Sequence, residues 1–466
     1  MQQERGQWSG RLGFILAAAG SAIGLGNLWK FPYVTHQNEG GAFVLIYIAA
    51  VVLVGFPIMA AEVIVGRRAR RSPVGAFLKL GTDRPGGRLW AGLGFLGVTA
   101  GFIILSYYSV VAGWTLHYVL MSIQGELAVL ARDATALQDH FLNEFLASGP
   151  KQIGYHLVFM AATVSAVFFG VKKGIERVAK VLMPLLFAII LFLVIYSTTT
   201  SGFGDAMRFL FRPNFGDLEA SSILEAVGQA FFSLSLGMGA MLTYGSYMQR
   251  KSSIPRSVTE ICILDSMMGI LACVIMFSII FTFDLEITQS ATILFTTLPT
   301  VLVQLPLGSI VLGLFFVLVA FAALTSTVSL MEVVSSYAID ELGWNRRFAT
   351  VAMGVVIGAF GILSALSLGA SETLSRLNLF GKDSTVGLFS SFDYLAANWL
   401  LPVGGLLVAI FVGWIMAARD IEDELAEGHG RLGWIGPLIR QSLRYVAPLA
   451  VGAILFSIIF LGAEYQ

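Results

Sequence analysis

The chain is 466 residues long, 56% hydrophobic and only 12% charged, with a mean hydropathy of +0.80. A soluble protein of this length cannot hide so much apolar surface, so lipid is the expected solvent. The formal net charge of +0 gives no footprint for a nucleic-acid partner.

The N-terminal stretch MQQERGQWSGRLGFILAAAG does not read as a signal peptide, because its apolar run continues past any small-residue cleavage site. A membrane span needs ~20 predominantly apolar residues. On that criterion spans are expected at roughly 11–36, 41–66, 89–122, 153–171, 178–198, 223–248, 256–283, 308–340, 347–368, 387–417 and 438–462. The expected class is an all-α polytopic membrane protein with 11 transmembrane helices.

Loop charge orients these spans. The stretches GRRARRSPVGAFLKLGTDRPGGR, VKKGIERVAK and MQRKSSIPR follow the second, fourth and sixth spans and are rich in Lys and Arg. FDLEITQSATILFTTLPT, after the seventh, has neither. The positive-inside rule therefore puts the N-terminus in the cytoplasm and the C-terminus outside. The two cysteines, Cys262 and Cys273, fall in one apolar run. They would stand ~16 Å apart along a helix, so a disulfide between them is impossible.

Two spans carry their own breakers. The first contains GSAIGLG (residues 20–26), and the sixth contains FFSLSLGMGAMLTYGSY, with glycines at 237, 239 and 245. Scattered glycines in membrane helices can mean no more than close packing. Two clusters five spans apart fit a different pattern, broken helices at corresponding places in two halves of a secondary transporter. Unwound backbone in a bilayer is tolerated only where something takes up its amide and carbonyl groups. Half-helix N-termini favour anions and freed carbonyls favour cations, so the breaks suit a carboxylate substrate together with a cation.

Polar residues within the spans admit two readings each. Thr325 and Ser326 could bond back to carbonyls one turn earlier, or offer oxygen ligands to a hard cation. Asp265 stands well inside the seventh span, where a carboxylate costs ~2.5–3.5 kcal/mol, so it needs a partner or a proton. Glu62 could snorkel to the interface. The five histidines show no clustering with acids or cysteines, and no nucleotide loop or nucleophile motif occurs. An enzyme is not expected.

The motifs RLGFILAAAGSAIGLGNLWKFPY, VGQAFFSLSLGMGAMLTYGSY, KGIERVAKVLMP and FAALTSTVSLMEV resemble the neurotransmitter:sodium symporter family, in its bacterial amino-acid transporter branch. The likeness covers roughly residues 5–417. It implies two five-helix inverted repeats with broken helices 1 and 6, at 1–198 (with the N-terminal tail) and 199–417. A cytoplasmic loop and an extra helix 11 fill 418–466. The activity implied is Na⁺-coupled symport of a neutral, hydrophobic amino acid, aliphatic or aromatic, by alternating access.

Carried over residue by residue, the resemblance implies one sodium site at Gly20, Ile23, Ala322, Thr325 and Ser326. A second is implied at Ala22, Asn27, Ser233 and Asp265. The substrate pocket would be lined by Ser21, Ala22, Gly26, Ile104, Tyr108, Phe232, Ser233, Ser235, Met238, Ser326 and Leu330, with Tyr108 bonding the substrate carboxylate. Tyr47, Gln229, Ser233 and Asp265 match the chloride ligands of animal relatives. There Asp265 would supply the fixed negative charge, so chloride would not be required. Lys30 and Asp393 match the outer gate, where relatives commonly carry Arg in place of the Lys; Lys cannot make the bidentate fork, so a weaker or water-bridged gate is expected. Arg5 and Asp340 match the inner ion pair, with Trp8 as a plug beside Tyr247. Glu62 would hydrogen-bond near the broken part of span one, and Gly174 and Pro184 mark a stretch of span five thought to unwind. A proton-coupled or Na⁺-independent permease using Glu62 or Asp265, or a non-transporting sensor, are the competing readings.

Overall fold

In the computed structural model the described residues are 6–216, 218–285, 294–380, 385–428 and 435–463. Helices occupy all eleven expected stretches. They are labelled here α1 (Arg11–Ala22) and α2 (Gly26–Gln37), α3 (Gly41–Ala69), α4 (Gly87–Gln124), α5 (Gly149–Phe168), α6 (Val171–Ser197), α7 (Ala220–Ser233) and α8 (Ala240–Ser246), α9 (Ile254–Phe283), α10 (Gly308–Asp340), α11 (Arg346–Leu366), α12 (Leu388–Ile415) and α13 (Ile435–Phe460). Eight of these helices, α3, α4, α6 and α9–α13, are long and apolar enough to cross a membrane by themselves, and α1 with α2 makes a ninth. The remaining two stretches are α5, of 20 residues, and the split pair α7 and α8.

The elements begin and end where local chemistry predicts. Pro255 stands in the first turn of α9, and the Ser253 side chain accepts from the Arg256 amide. Gly125 ends α4 in the left-handed region. Leu12, Leu45, Val52, Val181, Val355 and Phe460 are exposed on the outer helix faces, as lipid-facing residues should be.

Both expected breaks are real, and they differ in kind. Between α1 and α2 the axis turns by 57°, and Ile23 is extended at φ −72°, ψ 102°. No glycine there has positive φ. These glycines answer to space instead: a Cβ on Gly24 would lie 2.9 Å from Ser326 Oγ, and one on Gly26 would enter the Phe232 ring. Between α7 and α8 the backbone itself is left-handed, at Ser235 (φ 54°), Gly237 (φ 81°) and Gly239 (φ 74°).

Candidate functional site

The two breaks face one cavity of about 340 Å³. Ser21, Ala22, Gly24, Leu25, Gly26 and Asn27 line it from the first break. Phe232, Ser233, Ser235 and Met238 line it from the second. Ile104 and Tyr108 of α4 and Ser326, Ser329 and Leu330 of α10 line it as well, with Trp29, Lys30, Trp114, Leu146, Leu368, Phe389 and Asp393. All eleven expected pocket residues are brought together. Ser329, which the motif comparison passed over, joins them.

Beside the first break, oxygens converge. The Ser326 hydroxyl lies 3.2 Å from the Ala322 carbonyl, 3.3 Å from Ser21 O and 3.5 Å from Ile23 O. Thr325 Oγ1 lies 3.0 Å from Ala322 O and 3.2 Å from Phe321 O. Gly20 packs on the same spot, since a Cβ there would sit 3.1 Å from Thr325 Cβ. The hydroxyls do bond back along α10, but Ser326 also reaches the uncoiled carbonyls of the first break. An all-oxygen cluster of this kind fits a hard cation.

On the other side lies Asp265, fully buried and fully partnered. Its Oδ1 accepts from Asn27 Nδ2 at 2.9 Å. Its Oδ2 accepts from Ser233 Oγ at 2.5 Å and Tyr47 OH at 3.2 Å. Asn27 Oδ1 in turn accepts the Gly24 amide at 3.2 Å, tying this cluster to the first break. Gln229 is buried as well, but neither amide atom has a partner, so it does not join the cluster. Tyr108 OH accepts the freed Leu25 amide at 3.0 Å.

Glu62 corrects the expectation made for it. It does not snorkel, being 1% exposed, and it serves the second break rather than the first. Its two oxygens accept the amides of Gly237 (2.7 Å) and Leu242 (3.3 Å). The reason is geometric: α3 lies against α8 along Gly66, where a Cβ would overlap the Leu242 carbonyl. That approach aims the Glu62 side chain at amides the missing turn of helix leaves open.

The outer pair is not in direct contact. Lys30 and Asp393 line the same cavity, but they form no ion pair within 4 Å. The Lys30 ammonium sits 4.5 Å above the Phe232 ring centroid instead. A single ammonium lacks the planar fork that would hold a carboxylate from two sides, and a ring face is a competing partner.

At the opposite end, Trp8 is 1% exposed. Its indole N–H donates to Tyr244 O at 2.9 Å, and its ring lies 6.1 Å from that of Tyr247. Arg5 lies outside the described residues, so the Arg5–Asp340 pair does too. Asp340 Oδ2 accepts the Ser72 amide at 2.6 Å. Next to Trp8 is a cluster the motifs did not reveal. Glu332, with a side chain 0% exposed, takes both terminal nitrogens of Arg346 at 2.8 Å and the Tyr247 hydroxyl at 2.5 Å. A carboxylate in the apolar run of α10 was the available signal, the same one that singled out Asp265.

Two further groupings emerge. Glu176, next to the Val171–Ile175 turn that contains Gly174, holds the Ser9 amide at 2.9 Å, the Ser9 hydroxyl, and Lys180 at 2.6 Å. The histidines were not expected to cluster with acids or cysteines, but one of them meets an acid. His117 and His140 meet through their Nε2 atoms at 3.2 Å, and His140 Nδ1 lies 2.8 Å from Glu144. The i,i+4 spacing of His140 and Glu144 was readable, whereas the contact across to α4 was not.

With that geometry in place, comparisons identify the lineage. The sequence pattern described as the Sodium:neurotransmitter symporter family matches residues 5–152 and 140–465. The chain belongs to that family. It is 37% identical over 458 residues to an uncharacterised sodium-dependent transporter, YhdH, of Bacillus subtilis (strain 168), covering 98% of each chain. Another uncharacterised sodium-dependent transporter, from Haemophilus influenzae, is 29% identical and covers 98% of this chain and 99% of its own length. Among solved structures, MhsT in complex with L-phenylalanine superposes with a TM-score of 0.86. It is 41% identical, covering 97% of this chain and 99% of that one. The chain is therefore a multi-pass membrane transporter of an all-α fold and not an enzyme.

Proposed function

We propose that the chain is a Na⁺-coupled symporter of neutral, hydrophobic amino acids. The observation that carries this is the meeting of the two helix breaks on one cavity. Uncoiled carbonyls and the Thr325 and Ser326 hydroxyls lie on one flank, and the buried Asp265 cluster lies on the other. Supporting it are the relative solved with L-phenylalanine and a rat relative named as a sodium-dependent neutral amino acid transporter, which is 29% identical over 305 residues. The rat alignment covers 60% of this chain and 48% of the rat protein.

In this reading the amino acid lies with its carboxylate toward the Leu25 amide and Tyr108, and its side chain among Ile104, Phe232, Met238 and Leu330. None of these four side chains carries a charge, so a charged substrate side chain lying among them would find no partner on them. Two Na⁺ ions are carried with the substrate. One is held by Gly20, Ile23, Ala322, Thr325 and Ser326, the other by Ala22, Asn27, Ser233 and Asp265. The fixed charge of Asp265 removes a need for chloride. The N-terminus is cytoplasmic, the C-terminus extracytoplasmic and the membrane a bacterial inner membrane. The two repeats fall at 1–198 and 199–417, with the remainder at 418–466.

The test is uptake of radiolabelled neutral amino acids into proteoliposomes with and without a Na⁺ gradient. Uptake that follows an imposed pH gradient but ignores Na⁺ would replace this reading with a proton-coupled one.

A further inference from the structure

The apolar part of the cavity is not wholly apolar. Three serines from three different segments meet there: Ser21 of α1, Ser235 of the second break and Ser329 of α10. Their hydrogen bonds have a definite direction. Ser235 donates to the Ser21 carbonyl at 2.9 Å, Ser21 donates to Ser329 Oγ at 2.7 Å, and Ser329 donates to the Ser326 carbonyl at 2.8 Å. Each hydroxyl has one proton, and all three protons are committed within the wall. What the cluster retains is acceptor capacity: unshared lone pairs on the hydroxyl oxygens of residues that line the cavity.

The position of Ser329 places that capacity at the side-chain end. It lies one helical turn beyond Ser326 and next in the chain to Leu330, and all three line the cavity; Leu330 faces α4, where a Cβ on Gly101 would come within 3.7 Å of its carbonyl. The uncoiled amides that suit a carboxylate lie on the Ser326 side of this turn.

We infer that Ser329, with Ser21, is a specificity-determining residue that favours substrate side chains carrying an N–H or O–H donor, the indole and phenol rings, over rings of equal shape without one. This rests on the amino-acid reading above. The sign of the effect separates it from simple apolar packing. In a pocket with no acceptor, a buried phenol or indole N–H goes unpaired and loses to its donor-free isostere. In a pocket with a spare acceptor it gains a bond.

The experiment is competition against labelled phenylalanine by the purified protein in Na⁺. Tyrosine is compared with 4-fluorophenylalanine, and tryptophan with 3-benzothienylalanine, in which sulfur replaces the indole N–H. One neutral hydrogen bond predicts a preference of about three- to tenfold for the donor in each pair. Ser329→Ala should bring both ratios to one or below, and Ser329→Thr, which keeps the hydroxyl, should preserve them. Equal or better competition by the donor-free member in the wild type overturns the inference without needing any variant to fold. If phenylalanine and every other neutral amino acid fail to bind at all, the amino-acid reading falls, and this inference falls with it. Those two failures are distinct.

Discussion

Glu62 and Gly237 are 175 residues apart in sequence, and a 2.7 Å hydrogen bond joins them across the break between α7 and α8. The same carboxylate also takes the Leu242 amide. Removing it leaves two buried N–H groups without an acceptor, at about 1–3 kcal/mol each. Glu62→Ala is therefore expected to abolish high-affinity substrate binding. Glu62→Gln, which keeps one acceptor oxygen, should weaken it less. Scintillation-proximity binding on both variants checks the order. Equal binding in Glu62→Ala and wild type would show that the break holds its shape without the side chain.

The oxygens around Ser326 give a second prediction. Replacing Thr325 and Ser326 by Ala deletes two hydroxyls but leaves the carbonyls of Ile23 and Ala322, so folding should survive. Na⁺-stimulated binding should be lost, or its Na⁺ requirement raised at least tenfold. Size-exclusion behaviour reports the fold, and a Na⁺ titration reports the site. A titration unchanged from wild type would move the ion elsewhere.

For Asp265 the expected outcome concerns chloride. Three side chains donate to this carboxylate, which is what a buried charge requires. Exchanging chloride for gluconate should leave Na⁺-driven uptake unchanged. Asp265→Asn should cut uptake severalfold, and added chloride should restore part of it. A wild type that stops without chloride would contradict the assignment.

Much of this architecture is readable in the chain because a bilayer imposes one length and one polarity on every span. The stretch 11–36 and the stretch 223–248 announce their breaks through glycine, and both breaks are there. Pairings between distant segments are a different matter. Nothing local says that Glu62 reaches Gly237 and not the first break, that Lys30 covers Phe232 and not Asp393, or that His117 meets His140. Those depend on how helices cross. Glu332 marks an intermediate case: its charge in an apolar run was visible, but its partner Arg346 is placed only by the turn between α10 and α11.

That buried pair gives a fourth prediction. Arg346→Ala leaves the Glu332 carboxylate buried with only Tyr247 beside it, a change that costs about 3–5 kcal/mol when a buried pair loses one member. Thermal stability in detergent should fall markedly. Changing both partners at once, Glu332→Gln with Arg346→Gln, should recover part of the loss. A double variant no more stable than the single would show that the charges do not act as a pair.

The last prediction concerns Glu176, which fastens the start of α6 to Ser9 and Lys180. Ser9 follows Trp8, so the carboxylate ties the buried Trp8 to the stretch holding Gly174 and Pro184. Proline at 184 removes one backbone hydrogen bond inside α6, which lowers the cost of unwinding this stretch. Unwinding it would carry Glu176 away from Ser9, and releasing Trp8 would pull Ser9 from Glu176. The two motions are therefore expected to be coupled. Glu176→Gln keeps size and one acceptor but loses the charge that holds Lys180, so both segments should loosen together. Hydrogen–deuterium exchange should rise in peptides covering 6–15 and 171–185 alike, and substrate affinity should fall as inward-open states gain population. Faster exchange confined to one of the two peptides would show that the contact joins them without coupling them.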